Sequence, residues 1–244
     1  MEKMYRPVIV KKEVDDTHFY YVDGVFTPGV TTILQETLPM PLALKNWIGD
    51  IGNERAQMKL EKAGDRGTAI HDACRRLIQG EEINLEKDFP DRPDKKALVS
   101  FVNWFAEYQP KPLKDLHPEL VVASKRGYAG TADFPCKIGK YPYVIDFKTS
   151  RAVYDSHKIQ LVAYRNAIWE MFHIRCKMGI LHLNSNTKKG YSFYDDDKMV
   201  IKDKRVETRD FLAVFRLYKV LNGGKIPQPP EVDAYPPVIK LERS

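Results

Sequence analysis

Residues 119–149 constrain the fold more than any other part of the 244-residue chain. They read as three consecutive strands, ELVVAS, YAGTADFPCKI and YPYVIDFKT, separated by the short turns KRG and GK. Strands joined by so few residues form an antiparallel meander. Helical spacing brackets it on both sides. Ahead of it, RGTAIHDACRRLIQG sets Ile70, Ala73, Cys74, Leu77 and Ile78 on one stripe, with Asp65 as the expected N-cap and Gly80 as the stop. A second amphipathic helix is expected over 94–108, with Leu98, Phe101, Val102, Phe105 and Tyr108 inward and Pro110 ending it. Behind the meander, 155–172 places Leu161, Tyr164, Ile168 and Phe172 at helical spacing, followed by strands at 178–184 and 190–195 and a helix over 205–221. This order predicts an α/β fold with a central mixed β-sheet flanked by helices.

The N-terminal third adds smaller pieces. HFYYVDGVFT, residues 18–27, predicts a hairpin turning at Asp23-Gly24, and PGVTTILQETLP together with 41–63 predicts helix interrupted near Gly49 and Gly52. With 43% hydrophobic residues the chain can close one sizeable core, so 1–226 is expected to be a single domain with an N-terminal hairpin and helical segment. The remaining 227–244 form a proline-rich tail expected to be extended, with prolines at 227, 229, 230, 236 and 237. A net charge of +6 favours a polyanionic partner. Cys74, Cys136 and Cys176 contain no CxxC pair, which argues against a disulfide framework, a zinc site or an iron–sulfur cluster. No apolar run reaches the roughly 20 residues that span a bilayer, and MEKMYRPVIVKKEVDD resembles neither a signal nor a transit peptide. The expectation is a cytoplasmic protein of prokaryotic or phage origin, with no targeting segment and no membrane partner.

The chemistry concentrates in VIDFKTS. Asp146 and Lys148 lie two positions apart on a strand and leave the same face, while Phe147 points to the opposite one. Alone, such a pair is most often a surface ion pair. Asp133, in GYAGTAD, changes the balance, because a hairpin brings it beside Asp146 and two converging carboxylates need a cation between them, Mg²⁺ or Mn²⁺. His71 lies on the flank of its helix stripe and adds an imidazole, which shifts the preference toward Mn²⁺. Gln160 and Tyr164, spaced i, i+4, share a helix face that suits a substrate wall. Arg66, Lys125 and Arg126 are candidate phosphate contacts, and Tyr128, Tyr154 and Tyr164 are candidates either for base stacking or for the core.

GTAIH at 67–71, GTAD at 130–133, IDFKT at 145–149 and QLVAY at 160–164 occur in the order found in RecB-type nucleases of the PD-(D/E)XK superfamily. The resemblance spans roughly residues 27–168, and PGVTTILQETLP is similar to the corresponding segment of mitochondrial genome maintenance exonucleases and their phage-like relatives. It implies a restriction-endonuclease-like core with Asp133, Asp146 and Lys148 as catalytic residues. The implied metal ligands are His71, Asp133, Asp146 and the carbonyl of Phe147, and the implied substrate contacts are Gln160, Tyr164, Arg66 and Thr149. Glu119 matches a position where some relatives carry another acidic residue.

The activity implied is that of a Mg²⁺- or Mn²⁺-dependent deoxyribonuclease, an exonuclease on single-stranded DNA acting in replication, recombination or repair. A structure-specific endonuclease, or a non-catalytic DNA-binding module that keeps the fold, are the alternatives. Three cysteines exclude the relatives with an iron–sulfur staple, and no GxxxxGK[ST] motif is present. A helicase, polymerase or single-strand-binding partner would therefore be a separate chain.

Overall fold

The computed structural model describes residues 4–14, 17–183 and 186–224. Strands β1 (Ile9–Val14), β2 (Thr17–Val22) and β3 (Val25–Thr27) form an antiparallel three-stranded sheet. The expected β2–β3 hairpin turns at Asp23 and Gly24, both at positive φ (51° and 79°), the pattern of a type I′ turn. β1 was not expected, because IVKKEV lacks alternation.

Helices α1 (Val30–Thr37) and α2 (Leu42–Ile51) follow, and Gly52, at φ 84°, breaks the chain into α3 (Asn53–Ile78). Here the structure corrects the sequence expectation: Asp65 caps nothing, and neither Gly49 nor the glycines at 64 and 67 interrupt a helix. Each glycine costs about 1 kcal/mol in a helix, but the surrounding Ala, Leu, Lys, Glu and Arg carry α3 through. Ala56 is the one buried residue of α3 before Ile70, so that half owes little to the core.

The short α4 (Leu85–Asp88) leads to α5 (Arg92–Tyr108), whose buried side is Ala97, Leu98, Ser100, Phe101 and Trp104. Val102, expected inward, is 50% exposed, and Trp104 takes the inward position instead.

Strands β4 (Lys111–Pro112), β5 (Leu120–Ser124), β6 (Tyr128–Ala132), β7 (Phe134–Ile138) and β8 (Tyr141–Lys148) come next. Then follow α6 (Asp155–Phe172), β9 (Lys177–Leu183), β10 (Tyr191–Tyr194), the small pair β11 (Val200–Ile201) and β12 (Lys204–Arg205), and α7 (Thr208–Leu221). The main sheet has the order β10-β9-β8-β7-β4 and is mixed. β8 and β9 are parallel across the α6 crossover, and the other pairs are antiparallel. The meander is not one sheet, however. YAGTADFPCKI bends at Asp133, so that β6 pairs with β5 in a separate ribbon while β7 pairs with β8.

Alternation along β8 divides the core in two. Tyr143, Ile145 and Phe147 pack with Ile70, Cys74, Leu98, Phe101 and Trp104 of α3 and α5. Val144 joins Leu161, Val162 and Ile168 of α6 and Phe211 and Phe215 of α7. The fold is thus α/β, a mixed sheet flanked by helices. Cys74, Cys136 and Cys176 are free and buried. Among the described residues no helix is long and apolar enough to cross a membrane. The proline-rich segment 227–244 lies outside the described residues.

Candidate metal centre and catalytic cleft

A cleft of about 540 Å³ opens where β8 ends, walled by β1 and β2, the second half of α3, β6 and α6. Its floor follows from the bend at Asp133. Because β7 pairs with β8 at Phe134↔Ile145, the preceding Asp133 falls opposite Asp146, and the Phe147 N–H donates to Asp133 Oδ2 at 2.7 Å. Glu119 precedes β5 in the left-handed region, φ 59°, a conformation costing a non-glycine residue about 1 kcal/mol or more. Its N–H donates to the Asp133 carbonyl at 2.8 Å, which anchors that backbone beside the bend. From α3, His71 brings Nδ1 to 3.4 Å from Asp133 Oδ2. One ligand atom each from His71, Glu119 and Asp133 lie within 4.8 Å of one another.

Beside this triple runs a second chain of contacts. Asp146 is 1% exposed, and Lys148 Nζ stands 2.8 Å from its Oδ2, close enough for an ion pair but off hydrogen-bond direction, so Oδ2 has no aligned donor. Lys148 Nζ donates to Gln160 Oε1 at 3.1 Å, and Gln160 Nε2 donates to the Tyr164 hydroxyl at 2.9 Å. The i, i+4 spacing on α6 therefore serves to hold Lys148. A glycine is required where Tyr164 passes: a Cβ on Gly130 would come within 2.5 Å of the ring.

Charge is crowded here. Burial lifts the Asp146 carboxyl to about 6, with Lys148 pulling the other way and Asp133 adding to the rise. Burial and then Asp133 also raise Glu119. For Asp133 burial acts upward too, but His71, Lys148 and the Phe147 N–H outweigh it and hold the carboxyl below its ordinary value. Burial opposes the charge on His71, yet Asp133 overcomes it and raises that imidazole.

Five carboxylates line the cleft (Glu13, Asp72, Glu119, Asp133 and Asp146) against the fixed cations Lys11, Arg75 and Lys148. Arg75 is itself tied to Asp72 at 2.5 Å. An acid-rich cleft in a chain of net charge +6 suits a cation better than a bare phosphate. Imidazole nitrogen with carboxylate oxygen, and no thiolate on the wall, fits a hard divalent ion such as Mg²⁺ or Mn²⁺. The unaligned Oδ2 of Asp146 fits it as well.

The structure thus brings His71, Asp133, Asp146, Lys148, Gln160 and Tyr164 to one cleft and adds Glu119 to the compact triple, with Asp146 beside that triple rather than within it. Other candidates fall elsewhere. Arg66 pairs with Asp94 of α5, and Thr149 packs against α3 at Gly67; neither lines the cleft. Arg126 stands 3.7 Å from Glu170, which also accepts the Lys125 N–H at 2.7 Å, again away from the cleft. Tyr128 is a core residue, fully buried, with its ring 4.7 Å from that of Phe211 and its hydroxyl donating to the Ala163 carbonyl. Phe147 is buried on the face away from Asp146, as alternation requires.

Sequence reasoning missed Lys11, Glu13, His18 and Tyr20. The pairings Lys11↔Tyr20 and Glu13↔His18 bring them to the wall, and only a recognised β1 would have signalled them. Outside the cleft lining, His157 of α6 is pushed down to about 3 by burial, then by Lys148 and His182.

Compared with protein-family models and with curated proteins, the chain matches none.

Metal binding has a direct readout. At a Mn²⁺ concentration 100 times its Kd, a folded-state site adds about 2.7 kcal/mol of stability, seen as a rise in thermal midpoint. Asp133→Asn and His71→Ala should each remove most of the rise, and Glu119→Gln should diminish it. A midpoint indifferent to Mn²⁺ in the unsubstituted chain would eliminate the centre.

Proposed function

We propose that this chain is a divalent-metal-dependent deoxyribonuclease with a restriction-endonuclease-like core of the PD-(D/E)XK type, hydrolysing phosphodiester bonds of single-stranded DNA from a free end. The observation that carries the reading is the buried Asp146–Lys148 pair set beside the His71, Glu119 and Asp133 triple in one acid-rich cleft. A surface ion pair would leave both groups in water. Here the carboxylate is desolvated, an arrangement that gains little stability for its desolvation cost and so speaks for a role in chemistry.

Bound Mg²⁺ or Mn²⁺ would supply Lewis acidity at the scissile phosphate and a water of lowered pKa. His71, Glu119, Asp133 and Asp146, with the Phe147 carbonyl, are the groups to hold it. Of the three N–H donors of Lys148 one goes to Gln160, and because the ion pair with Asp146 has no aligned hydrogen bond, donors remain for the attacking water or a phosphate oxygen. Gln160 and Tyr164 keep that ammonium from swinging, so it meets the pentacovalent phosphorus already oriented. The +6 charge of the chain favours capture of the polyanion as a whole.

A comparison of substrates tests the reading. With Mn²⁺, linear single-stranded DNA should be degraded faster than a closed circle of the same sequence. Equal cleavage of both would make the enzyme an endonuclease, and binding with no loss of either would make it a non-catalytic module.

A further inference from the structure

At the other end of α6 from Gln160 lies a second cavity, of about 330 Å³, that shares no residue with the cleft. Arg165, Asn166 and Trp169 of α6 line it, together with Arg175 and Cys176 ahead of β9 and Thr208 at the first turn of α7. Arg165 is half-buried and makes no hydrogen bond or ion pair to any described residue.

The carboxylates around Arg165 are already engaged. Asp196 accepts from Arg205 and from the Met178 N–H at 2.9 Å. Glu207 caps α7 and pairs with Arg209 at 3.2 Å, and Glu170 accepts from Ser124, Asn166 and the Lys125 N–H. Burial accordingly draws Arg165 below its ordinary value, against the raising effect of Asp196. The second guanidinium is held in place: Arg175 lies 4.9 Å over the Trp169 ring, which also stacks on His173. That contact tethers the guanidinium, whose N–H groups make no hydrogen bond or ion pair to any described residue.

Two guanidiniums on one cavity, neither paired with a carboxylate among the described residues, form a receptor for a dianion, since planar N–H forks match phosphate oxygens two by two. Trp169 and Ile174 add an apolar wall. A volume of about 330 Å³ sits at the small end of ligand pockets, which run from about 300 Å³ upward. We propose that this cavity is a second binding site for a phosphate monoester of mononucleotide size, with its phosphate between Arg165 and Arg175. The proposal stands whether or not the cleft cleaves DNA.

Calorimetric titration of the full chain with dAMP and, separately, with inorganic phosphate, both without divalent metal, tests it. dAMP should bind one to one and more tightly than phosphate. Arg165→Gln and Arg175→Gln should each weaken dAMP by about tenfold or more, the usual consequence of losing a charge-assisted hydrogen bond. Asp146→Asn, in the cleft, should leave the affinity unchanged. Arg175 is exposed, so its variant folds even if Arg165→Gln does not. No saturable binding, unchanged affinity in Arg175→Gln, or loss of binding in Asp146→Asn would each overturn the site. Phosphate binding as tightly as dAMP would overturn the mononucleotide assignment.

Discussion

Replacing Lys148 by alanine should lower the rate of DNA cleavage by about two orders of magnitude or more while Mn²⁺ still binds. The ammonium is held by both a carboxylate and an amide, Asp146 and Gln160, and Arg75, the other cleft cation so held, is tied instead to Asp72 and Gln79, so it does not stand in for Lys148. Its loss also strands a buried carboxylate. Asp146 already titrates near 6 with Lys148 present, above its unfolded value, so its ionisation favours the unfolded chain. In the variant that carboxyl rises further. The destabilisation is therefore largest at high pH and shrinks as the pH falls and Asp146 takes up a proton. Lys148→Gln, which keeps a donor and volume, is the companion variant should the alanine protein fold poorly.

Asp146→Asn should fail differently. It removes a charge from the cleft, but Asp146 stands beside the His71, Glu119 and Asp133 triple, so metal affinity should fall less than in Asp133→Asn while cleavage is lost as fully. Cleavage by Lys148→Ala or Lys148→Gln at near the unsubstituted rate with Mg²⁺ would reduce the pair to structure.

The parts of this site that lie on regular, uninterrupted elements were legible in the sequence. Asp146 and Lys148 sit on a strand whose period of two is plain in YPYVIDFKT, and the hairpin that sets Asp133 opposite follows from the turn GK. Gln160 and Tyr164 follow from a helix predicted within its observed bounds. What did not show was whatever depends on a break or on pairing between remote segments. The bend at Asp133 that splits one apparent strand between two sheets is marked in GTADFPC only by Asp133 and Pro135, poor strand formers that sit among residues of ordinary strand character, Thr131 and Phe134, and so do not tell a bend from a continuous strand. Glu119 enters the triple through a left-handed backbone that only the anchoring bond to the Asp133 carbonyl explains. Arg66 looked free in one dimension, and it is Asp94, 28 positions on, that takes it away from the cleft.

Phe147→Ala should cost about 3–5 kcal/mol of stability, the range for emptying a fully buried aromatic site. In a chain of this length each kcal/mol moves the thermal midpoint by about 2–4 °C, so a fall near 10 °C is expected. The ring is 2% exposed and lies 5.5 Å from that of Phe101, 6.3 Å from Phe134 and 5.8 Å from His71. It is thus the floor against which the imidazole rests. The metal contact assigned to this residue is its backbone carbonyl, and that separates the two roles. Phe147→Leu keeps an apolar filler and the strand, so it should lose about 1–1.5 kcal/mol and retain Mn²⁺ affinity and cleavage within a few-fold. The alanine variant, with its imidazole unsupported, should lose metal affinity as well as stability. Thermal melts with and without Mn²⁺ on both variants decide the matter: an alanine substitution costing under about 1 kcal/mol would show that the ring is not packed as described. A leucine variant that folds normally yet binds no metal would mean that the aromatic ring, rather than the strand it sits on, positions the centre.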